Sequence, residues 1–351
     1  MPEPDPLLAN ALMILLEFDN ASEDVELVDL ARTEFEARLA KGVEVNGYYE
    51  GSTLLAHAVG WSHAAIAQTL IQHGSDVHAR AHARGRHGYH TKPVAFGVED
   101  PLLARILFQA GAKAEDFSAD MLPAALGMFS SGDIDDGPLN KALASIVTGR
   151  RNPEPIANAF YDRQIRTFQT ASAGLFEHTD ASRDDRFDLA PSFSFDRMGR
   201  SITCLKDGRV VLIAGFHEDR HDPDHHIYND VCVVQPDGKF DYFAYDTDAF
   251  PPTIDHSATE VAGDLWLIGN GFWCVHQKMP AQAQVLRLDL RTFRMSPVVT
   301  KGRDPGWIFG HEARLEGSDI LISGAKAHLG RPDQDGQTYA LETSTGTWRL
   351  L

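Results

Sequence analysis

The part of this sequence richest in groups that could do chemistry runs from His217 to His226. Four imidazoles and four carboxylates fall within these ten residues, and Pro223 argues against a helix. Imidazole and carboxylate groups together can bind a divalent transition metal. His217, His221 and His225 are therefore candidate metal ligands, and an enzyme with a metal site in this loop is one hypothesis.

A second interpretation of the same segment is a solvated loop that contacts another macromolecule. It has no apolar periodicity, and its histidines would change its charge near pH 6. The difference between the two interpretations is whether the segment holds a metal. The residues that we assign to partner contact here are His217, Glu218, Asp219, His221, Asp222, Asp224 and His225.

A basic segment stands out because the chain carries a formal net charge of −18. No acid lies between Asp76 and Glu99, so this stretch forms a local basic island. We predict that it contacts an acidic surface of a partner or of the chain itself, and a merely solvated loop is the alternative. The residues assigned to partner contact are His78, Arg80, His82, Arg84, Arg86, His87, Tyr89 and His90.

Acidic residues concentrate between Glu17 and Glu50, where ten acids accompany three bases. A basic protein partner suits such a surface because complementary fields speed encounter, although a solvated helix face has the same composition. The net charge of −18 argues against a nucleic-acid partner, which needs a basic surface.

Known catalytic signatures are absent from the sequence, including the nucleophile elbow, the phosphate-binding loop, the dinucleotide fingerprint and the His-Glu-x-x-His pattern. Gly310-His311-Glu312 could act as a catalytic pair. However, it occupies a strand-start position that Arg200 and His256 fill in two other segments, which favours a structural role. We predict no catalytic residue and no cofactor.

The basic island belongs to a first half that repeats pairs of short helices. Residues 51–77 contain two apolar stripes at helical spacing, followed by a stop at Gly74. Gly42 and Gly111 lie 32 and 37 residues from Gly74. This segment resembles the ankyrin repeat, and weaker copies flank it. Their predicted helices are Leu27–Leu39, Lys92–Val98, Pro101–Gln109, Met121–Ala125 and Pro138–Val147. The resemblance implies an α-solenoid over residues 1–150, with an enlarged contact hairpin at Arg80–Thr91.

From about Phe195 the pattern changes to short strands with glycine turns. Arg200, His256 and His311 recur at separations of 56 and 55 residues, each followed by an apolar strand that ends in glycine. These segments resemble kelch repeats, which implies the β-blades of a propeller. Three blades do not close a ring. We therefore predict a small or incomplete propeller over residues 195–351, with residues 151–194 as a linker or degenerate blade.

The predicted fold class is thus a multidomain α + β protein with an ankyrin-type α-solenoid and kelch-like all-β blades. Asn152-Pro153-Glu154-Pro155 is the predicted domain junction, since closely spaced prolines stop a helix. Whether the ring closes within one chain, and the oligomeric state, stay open.

Three widely spaced cysteines in apolar surroundings fit a reducing compartment, and no apolar run reaches the length of a membrane span. We therefore predict a cytoplasmic location and no membrane partner. The predicted function is a non-catalytic protein–protein interaction module. Its narrower forms are a bacterial immunity protein or antitoxin that neutralises a basic toxin or effector, and a scaffold. The alternative is a propeller enzyme with a metal site in the His217–His226 loop.

Overall fold

A computed structural model of the chain divides into two compact units, residues 1–130 and 131–351. Residues 139–150, which were predicted to belong to the first domain, group with the second unit. No helix in the described part is long and apolar enough to cross a membrane. The structure describes residues 25–49, 51–85, 88–118, 121–128, 139–168, 174–176, 179, 192–219, 222–272, 280–327 and 336–351.

The first unit combines short helices with two small hairpins, each of which pairs only with itself among the described strands. Its 3-10 turns cover Val94–Gly97 and Ala114–Asp116. In chain order its other elements are α1 (Val25–Leu39), β1 (Tyr48–Tyr49), β2 (Ser52–Thr53), α2 (Leu54–Gly60), α3 (Ala64–Gln72), β3 (Arg80–Gly85), β4 (Gly88–Pro93), α4 (Pro101–Gln109) and α5 (Leu122–Ala125).

Local sequence signals explain where these helices begin and end. The Thr53 hydroxyl accepts a hydrogen bond from the amide of Ala56 and caps α2. Asp100 caps α4 in the same way, and Pro101 occupies its first turn. Gly74 and Gly111 have φ values of +87° and +103°, so the predicted stop glycines do adopt the left-handed conformation.

The second unit is built mainly of antiparallel strands, with one described helix longer than two turns and a 3-10 turn at Lys141–Ala144. Its elements are β5 (Glu154–Pro155), α6 (Ala159–Thr167), β6 (Ser201–Cys204), β7 (Val210–Ile213), β8 (Phe216–Asp219), β9 (Asp222–Ile227), β10 (Asp230–Val234), β11 (Phe240–Ala244), β12 (Ser257–Val261), β13 (Asp264–Ile268), β14 (Val285–Asp289), β15 (Met295–Pro297), β16 (Lys301–Gly302), β17 (Ile308–Phe309), β18 (Glu312–Glu316), β19 (Asp319–Ser323), β20 (Lys326–Ala327), β21 (Tyr339–Glu342) and β22 (Thr347–Leu350).

Three larger sheets organise this unit. The first has the strand order β5-β11-β10-β7-β6, the second β12-β13-β14-β15 and the third β16-β22-β21-β19-β18. Strands β8 and β9 form a separate hairpin, and β17 pairs with β20. Strands β6, β12 and β18, each at one edge of its sheet, lie side by side.

Successive side chains of β13 enter two different hydrophobic cores, and in this way β13 connects the three sheets. Leu265 and Leu267 enter the core between the first and second sheets, and Trp266 and Ile268 enter the core between the second and third. Because successive side chains of a strand point to opposite faces, one apolar strand supports two packed layers. Trp348 is 1% exposed and anchors the second of these cores.

The predicted fold class is wrong. In the described residues of the first unit the helices are short, and no helical solenoid is seen, because Pro93 and Gly97 bound a single 3-10 turn where a full helix was expected. Antiparallel strands in several sheets dominate the second unit, and these sheets are not closed into a propeller. Three sheets are too few to surround an axis.

The predicted junction at Asn152 is instead part of the second unit. Asn152 accepts a hydrogen bond from the Met295 amide and donates one to the Met295 carbonyl, at 2.8 and 2.6 Å. The side-chain amide of Asn152 thus makes the two bonds that the backbone of a paired strand residue would make. Asn152 therefore extends the edge of the second sheet at β15. The next residues form β5 on the edge of the first sheet. This segment therefore ties two sheets together.

Candidate functional site

The connections between strands of the second unit differ in length between the two ends of its sheets. Short turns join the first strand of each sheet to the next, through residues 205–209, 262–263 and 317–318. At the opposite end the connections are much longer and cover residues 214–229, 269–284 and 324–338. We call this second end the long-loop face, defined by residues 195–200, 251–256 and 306–311 and by the described residues of the three connections (214–219, 222–229, 269–272, 280–284, 324–327 and 336–338).

Three equivalent residues line up across the long-loop face. Gly199, Asp255 and Gly310 each come two residues before a sheet's first strand, with φ values of +64°, +51° and +59°. The amide of Asp255 donates to the Gly199 carbonyl, and the amide of Gly310 donates to the Asp255 carbonyl, both at 2.8 Å. These bonds hold the three sheets in fixed register at this end.

A second set of hydrogen bonds, formed by buried side chains, joins the same neighbouring sheets. Ser201 Oγ and His256 Nε2 are joined by a hydrogen bond of 2.8 Å. Ser257 Oγ and His311 Nε2 are joined by one of 2.9 Å. His311 directly precedes β18, which begins at Glu312, and a serine of the preceding sheet binds its ring.

Burial keeps both imidazoles neutral. It lowers the pKa of His256 to about 3, with a smaller contribution from His311, and it lowers the pKa of His311 to about 4. The Nδ1 atoms of both rings are buried without a hydrogen-bond partner among the described residues. A buried unpartnered N–H is costly, which favours tautomers that carry the proton on Nε2 and donate it to serine.

The His217–His226 segment, predicted to be an irregular loop, is largely a β-hairpin. Phe216 pairs with Ile227 and His217 with His226, with an irregularity towards Asp219. Phe216 also exchanges backbone hydrogen bonds with Met198, so the hairpin leaves from the long-loop face. Residues 217–226 are polar throughout except for Pro223, so the sequence has no apolar alternation that would predict these strands.

The predicted contact residues of this hairpin have different environments. His217 is 6% exposed, and its Nδ1 donates to the carbonyl of Asp196 at 3.0 Å, whereas Glu218 is exposed. Among the described residues, no group of three or more histidines, cysteines and carboxylates could hold a metal ion. Asp219, Asp222, Asp224 and His225 lie on the strands, and His221 falls outside the described residues.

The basic island of the first unit also forms a hairpin. Strands β3 and β4 pair from Arg80 with Pro93 to Gly85 with Gly88. His78 and Arg80 are exposed at its base. Of the other predicted contact residues, His82, Arg84, Tyr89 and His90 lie on its strands, and Arg86 and His87 fall outside the described residues.

Sequence reasoning missed the most deeply buried charges of the second unit. Arg197 Nη1 lies 2.6 Å from Asp230 Oδ1, and the two side chains are 2% and 6% exposed. The Tyr242 hydroxyl donates to the other carboxylate oxygen. The Arg197 guanidinium stacks 3.3 Å from the centre of the Tyr228 ring. The partners are 33 residues apart in the chain, so no local pattern links them.

Electrostatics keep Arg197 charged. Burial is the largest single effect and opposes the charge, but the attraction of Asp230, Tyr228 and Tyr242, together with the hydrogen bond to Asp230, outweighs burial, and the pKa of Arg197 is raised. Burial raises the pKa of Tyr242 well above its usual range, so its hydroxyl remains a donor to Asp230. Asp230 and Tyr242 lie on strands β10 and β11, so these residues form a fixed centre on the first sheet.

A cavity of about 730 Å³ lies between α6 and β11. Asp162, on its wall, is bound by Arg166 at 2.9 Å. The hydroxyl of Tyr161 donates to the carbonyl of Ser145 at 2.8 Å, and burial raises the pKa of Tyr161. These groups are committed to structural contacts, so the cavity suits an apolar or aromatic group better than acid–base chemistry. Its lining consists of Pro155, Ile156, Ala157, Asn158, Ala159, Tyr161, Asp162, Ile165, Phe240, Asp241, Tyr242 and Phe243.

No protein-family model matches this sequence, and a search of curated proteins finds no match. The resemblance of individual segments to ankyrin and kelch repeats therefore stays a prediction from the residues that carry it.

Proposed function

We propose that this protein is a non-catalytic binding module that holds a basic protein partner against the long-loop face of its second unit. The observation that carries the proposal is the difference in length between the strand connections at the two ends of the sheets. Long connections cost little stability but add surface on which binding residues can vary. In all three sheets they leave from the same end.

Charge supports a basic partner. The chain has a net charge of −18, and the hairpin β8–β9 brings an exposed Glu218 to the long-loop face. Complementary charge raises the rate of encounter and selects among partners. The basic hairpin β3–β4 of the first unit is the second proposed contact region. It would bind an acidic patch, and two linked contacts strengthen each other through effective concentration.

The sharpest test reverses one charge at each end of the sheets. Glu218→Lys alters the long-loop face, and Glu316→Lys makes the same change beside the short turn between β18 and β19, where Glu316 is also exposed. The full chain, immobilised in each form, is exposed to a lysate of its native cells, and captured proteins are quantified by mass spectrometry.

We expect a basic protein to be captured by the wild type and by Glu316→Lys, with about tenfold less captured by Glu218→Lys. Capture should also fall as salt is raised, because exposed charges are screened. Equal capture by both variants, or a partner without basic character, would contradict the proposal.

Neutralisation of a toxin or effector is the narrower form of this proposal. It predicts that co-expression of the chain rescues growth of cells that produce the captured partner, and that Glu218→Lys weakens the rescue. The buried Cys232 forms no disulfide, which supports a reducing compartment, and we propose that binding takes place in the cytoplasm.

A further inference from the structure

The cavity between α6 and β11 lies along the edge of β11 rather than on one face of the sheet. Four consecutive residues of this strand, 240–243, line it. Successive side chains of a strand point to opposite faces, so a cavity that touches all four lies beside the backbone. Residues 155–159 and one side of α6, at Tyr161, Asp162 and Ile165, form the rest of the wall.

The hydrogen-bond register of the first sheet shows which backbone groups of β11 face this edge. The Gln235 amide donates to the Lys239 carbonyl at 2.7 Å, which fixes the bonded pairs between β10 and β11. Alternate residues of an antiparallel strand bond to the same neighbour. Asp241 therefore bonds to β10, whereas the backbone groups of Phe240 and Tyr242 point away from β10 and towards the cavity.

Most of these outward backbone groups are unused. Strand β5 pairs with residues 243 and 244, and the Ile156 amide donates to the Tyr242 carbonyl at 3.0 Å. The chain then leaves the sheet edge and begins α6 at Ala159. Among the described residues, the Tyr242 amide and both backbone groups of Phe240 have no hydrogen-bond partner. The edge thus presents a donor, an acceptor and a second donor in a row.

This free edge is too short for an added strand, but it suits a small molecule. Ile156 already lies opposite Tyr242, and the turn over residues 235–239 ends the strand beside Phe240. A peptide that adds to a sheet needs a longer row of main-chain bonds. The cavity volume of about 730 Å³ falls within the range of about 300–1,000 Å³ that small-molecule sites occupy.

The walls of the cavity favour a planar apolar ring that carries no negative charge. Four aromatic residues line it, among them Phe240 and Phe243, and flat rings pack well against such surfaces. The charged side chains on the wall are Asp162 and Asp241, and none of the residues that line the cavity is basic. A phosphate or carboxylate would therefore be repelled, because like charges destabilise each other.

We propose that this cavity binds a planar nitrogen heterocycle of the nucleobase or nucleoside class. Adenine, for example, carries an amino donor beside a ring-nitrogen acceptor. The amino group donates to the Phe240 carbonyl, and the ring nitrogen accepts from the Tyr242 amide. The site lies beside the short turn over residues 235–239, at the end of the first sheet away from the long-loop face. It is thus a further binding activity that does not rest on the proposed function.

The test titrates the full chain with adenosine and follows backbone amides by NMR. Two comparison ligands probe the chemistry: N6,N6-dimethyladenosine lacks the amino donor, and adenosine 5′-monophosphate adds negative charge. Two variants probe the location. Ala157→Trp places a large side chain on the cavity wall, and Ala281→Trp makes the same change at an exposed alanine that does not line the cavity.

We expect saturable shifts of the Phe240 and Tyr242 amides with adenosine, and a smaller shift of the Asp241 amide, which points to β10. Each comparison ligand should bind at least about tenfold more weakly, because one lacks a hydrogen bond and the other is repelled. Ala157→Trp should weaken adenosine binding by at least about tenfold, whereas Ala281→Trp should bind adenosine as the wild type does.

Several results would overturn the proposal: no saturable shift with adenosine, shifts confined to residues outside the cavity, or equal affinity for either comparison ligand. Full affinity in a folded Ala157→Trp variant would also overturn it, because adenosine would then bind elsewhere. If that variant does not fold, the shifts and the comparison ligands decide the question on the wild-type chain. Capture of a basic partner at the long-loop face is unaffected by any of these results.

Discussion

At the residue scale, the second unit holds several of its ionisable groups inside the protein, where each has a fixed partner. Arg197 and Asp230 neutralise each other, Tyr242 binds the free oxygen of the acid, and the Tyr228 ring covers the guanidinium. Such pairs bring little net stability relative to apolar residues, but removing one partner leaves a buried charge alone.

The buried ion pair should therefore show strong coupling. We expect Arg197→Met and Asp230→Asn each to lower the free energy of unfolding by about 3–5 kcal/mol. The double variant should lose less than the sum of the two, because it leaves no unpaired charge. Urea denaturation of the four proteins measures the coupling, and additive losses would argue against an ionised pair.

The buried histidines predict a loss of stability in acid. The pKa values of His256 and His311 are about 3 and about 4 in the folded chain, whereas histidine in an unfolded chain titrates near about 6.5. The unfolded state thus binds more protons below that pH. Stability contributed by the neutral rings is complete above about pH 6.5 and is lost as the pH falls towards the folded values.

Between pH 6.5 and 5 we expect the two groups together to lower the free energy of unfolding by about 3 kcal/mol. Denaturant unfolding across this range provides the measurement. The double variant His256→Gln and His311→Gln places an amide near each Nε2 position and does not titrate, so its stability should depend less on pH. An unchanged pH slope in that variant would count against the assignment.

At the element scale, glycines decide how closely the sheets approach one another. Gly269 follows β13 with a φ of +85°, and a Cβ there would lie 2.6 Å from the Ile308 carbonyl oxygen and 2.8 Å from His311 Cε1. Gly263 has a similar φ of +90°, but nothing lies within 4 Å of its added Cβ. Substitution of Gly263 by alanine would therefore introduce backbone strain alone, whereas substitution of Gly269 would introduce the same strain and a collision.

Gly263→Ala should lower the free energy of unfolding by about 1–2 kcal/mol, the cost of a side chain at positive φ. Gly269→Ala carries the same strain plus a collision with backbone, and we expect it to lose at least about 2 kcal/mol more. Thermal and urea unfolding compare the variants directly. Equal decreases in the free energy of unfolding would mean that the neighbouring sheet moves aside without a loss of stability, and would contradict this prediction.

Local patterns predicted many of the elements. The expected helix at Leu27–Leu39 lies within α1, and the strand starts and exit glycines of the three sheets fall where the recurring pattern indicated. A helix expected over Pro138–Val147 is only the 3-10 turn at Lys141–Ala144, because Leu139 and Ser145 form bridges to Thr179 and Ser192. Pairing between distant segments overrides local propensity there.

The candidate site was harder to predict than the elements. The His217–His226 segment was singled out by composition, and it does leave from the long-loop face, but the sequence could not show that His217 turns inwards. Asp255 carries no local signal beyond its alignment with Gly199 and Gly310. The contacts among these three residues appear only when three segments, each about 55 residues apart, meet in the fold.

At the scale of the whole molecule, each unit has its own buried interior, and the second unit builds its interior between successive sheets. Burial of both faces of a strand explains why β7, β10 and β13 are nearly continuous apolar runs. The proposed class of partner follows from composition and charge, whereas the proposed binding end can be identified only from the assembled sheets.

The separation of short turns from long connections makes the two ends of the sheets independently changeable. The short-turn end can be held constant while exposed positions of the long connections, such as Glu218, accept substitutions. A protein arranged in this way can follow a changing partner over evolutionary time without rebuilding its interior. The same property makes the second unit a scaffold on which new recognition loops could be selected.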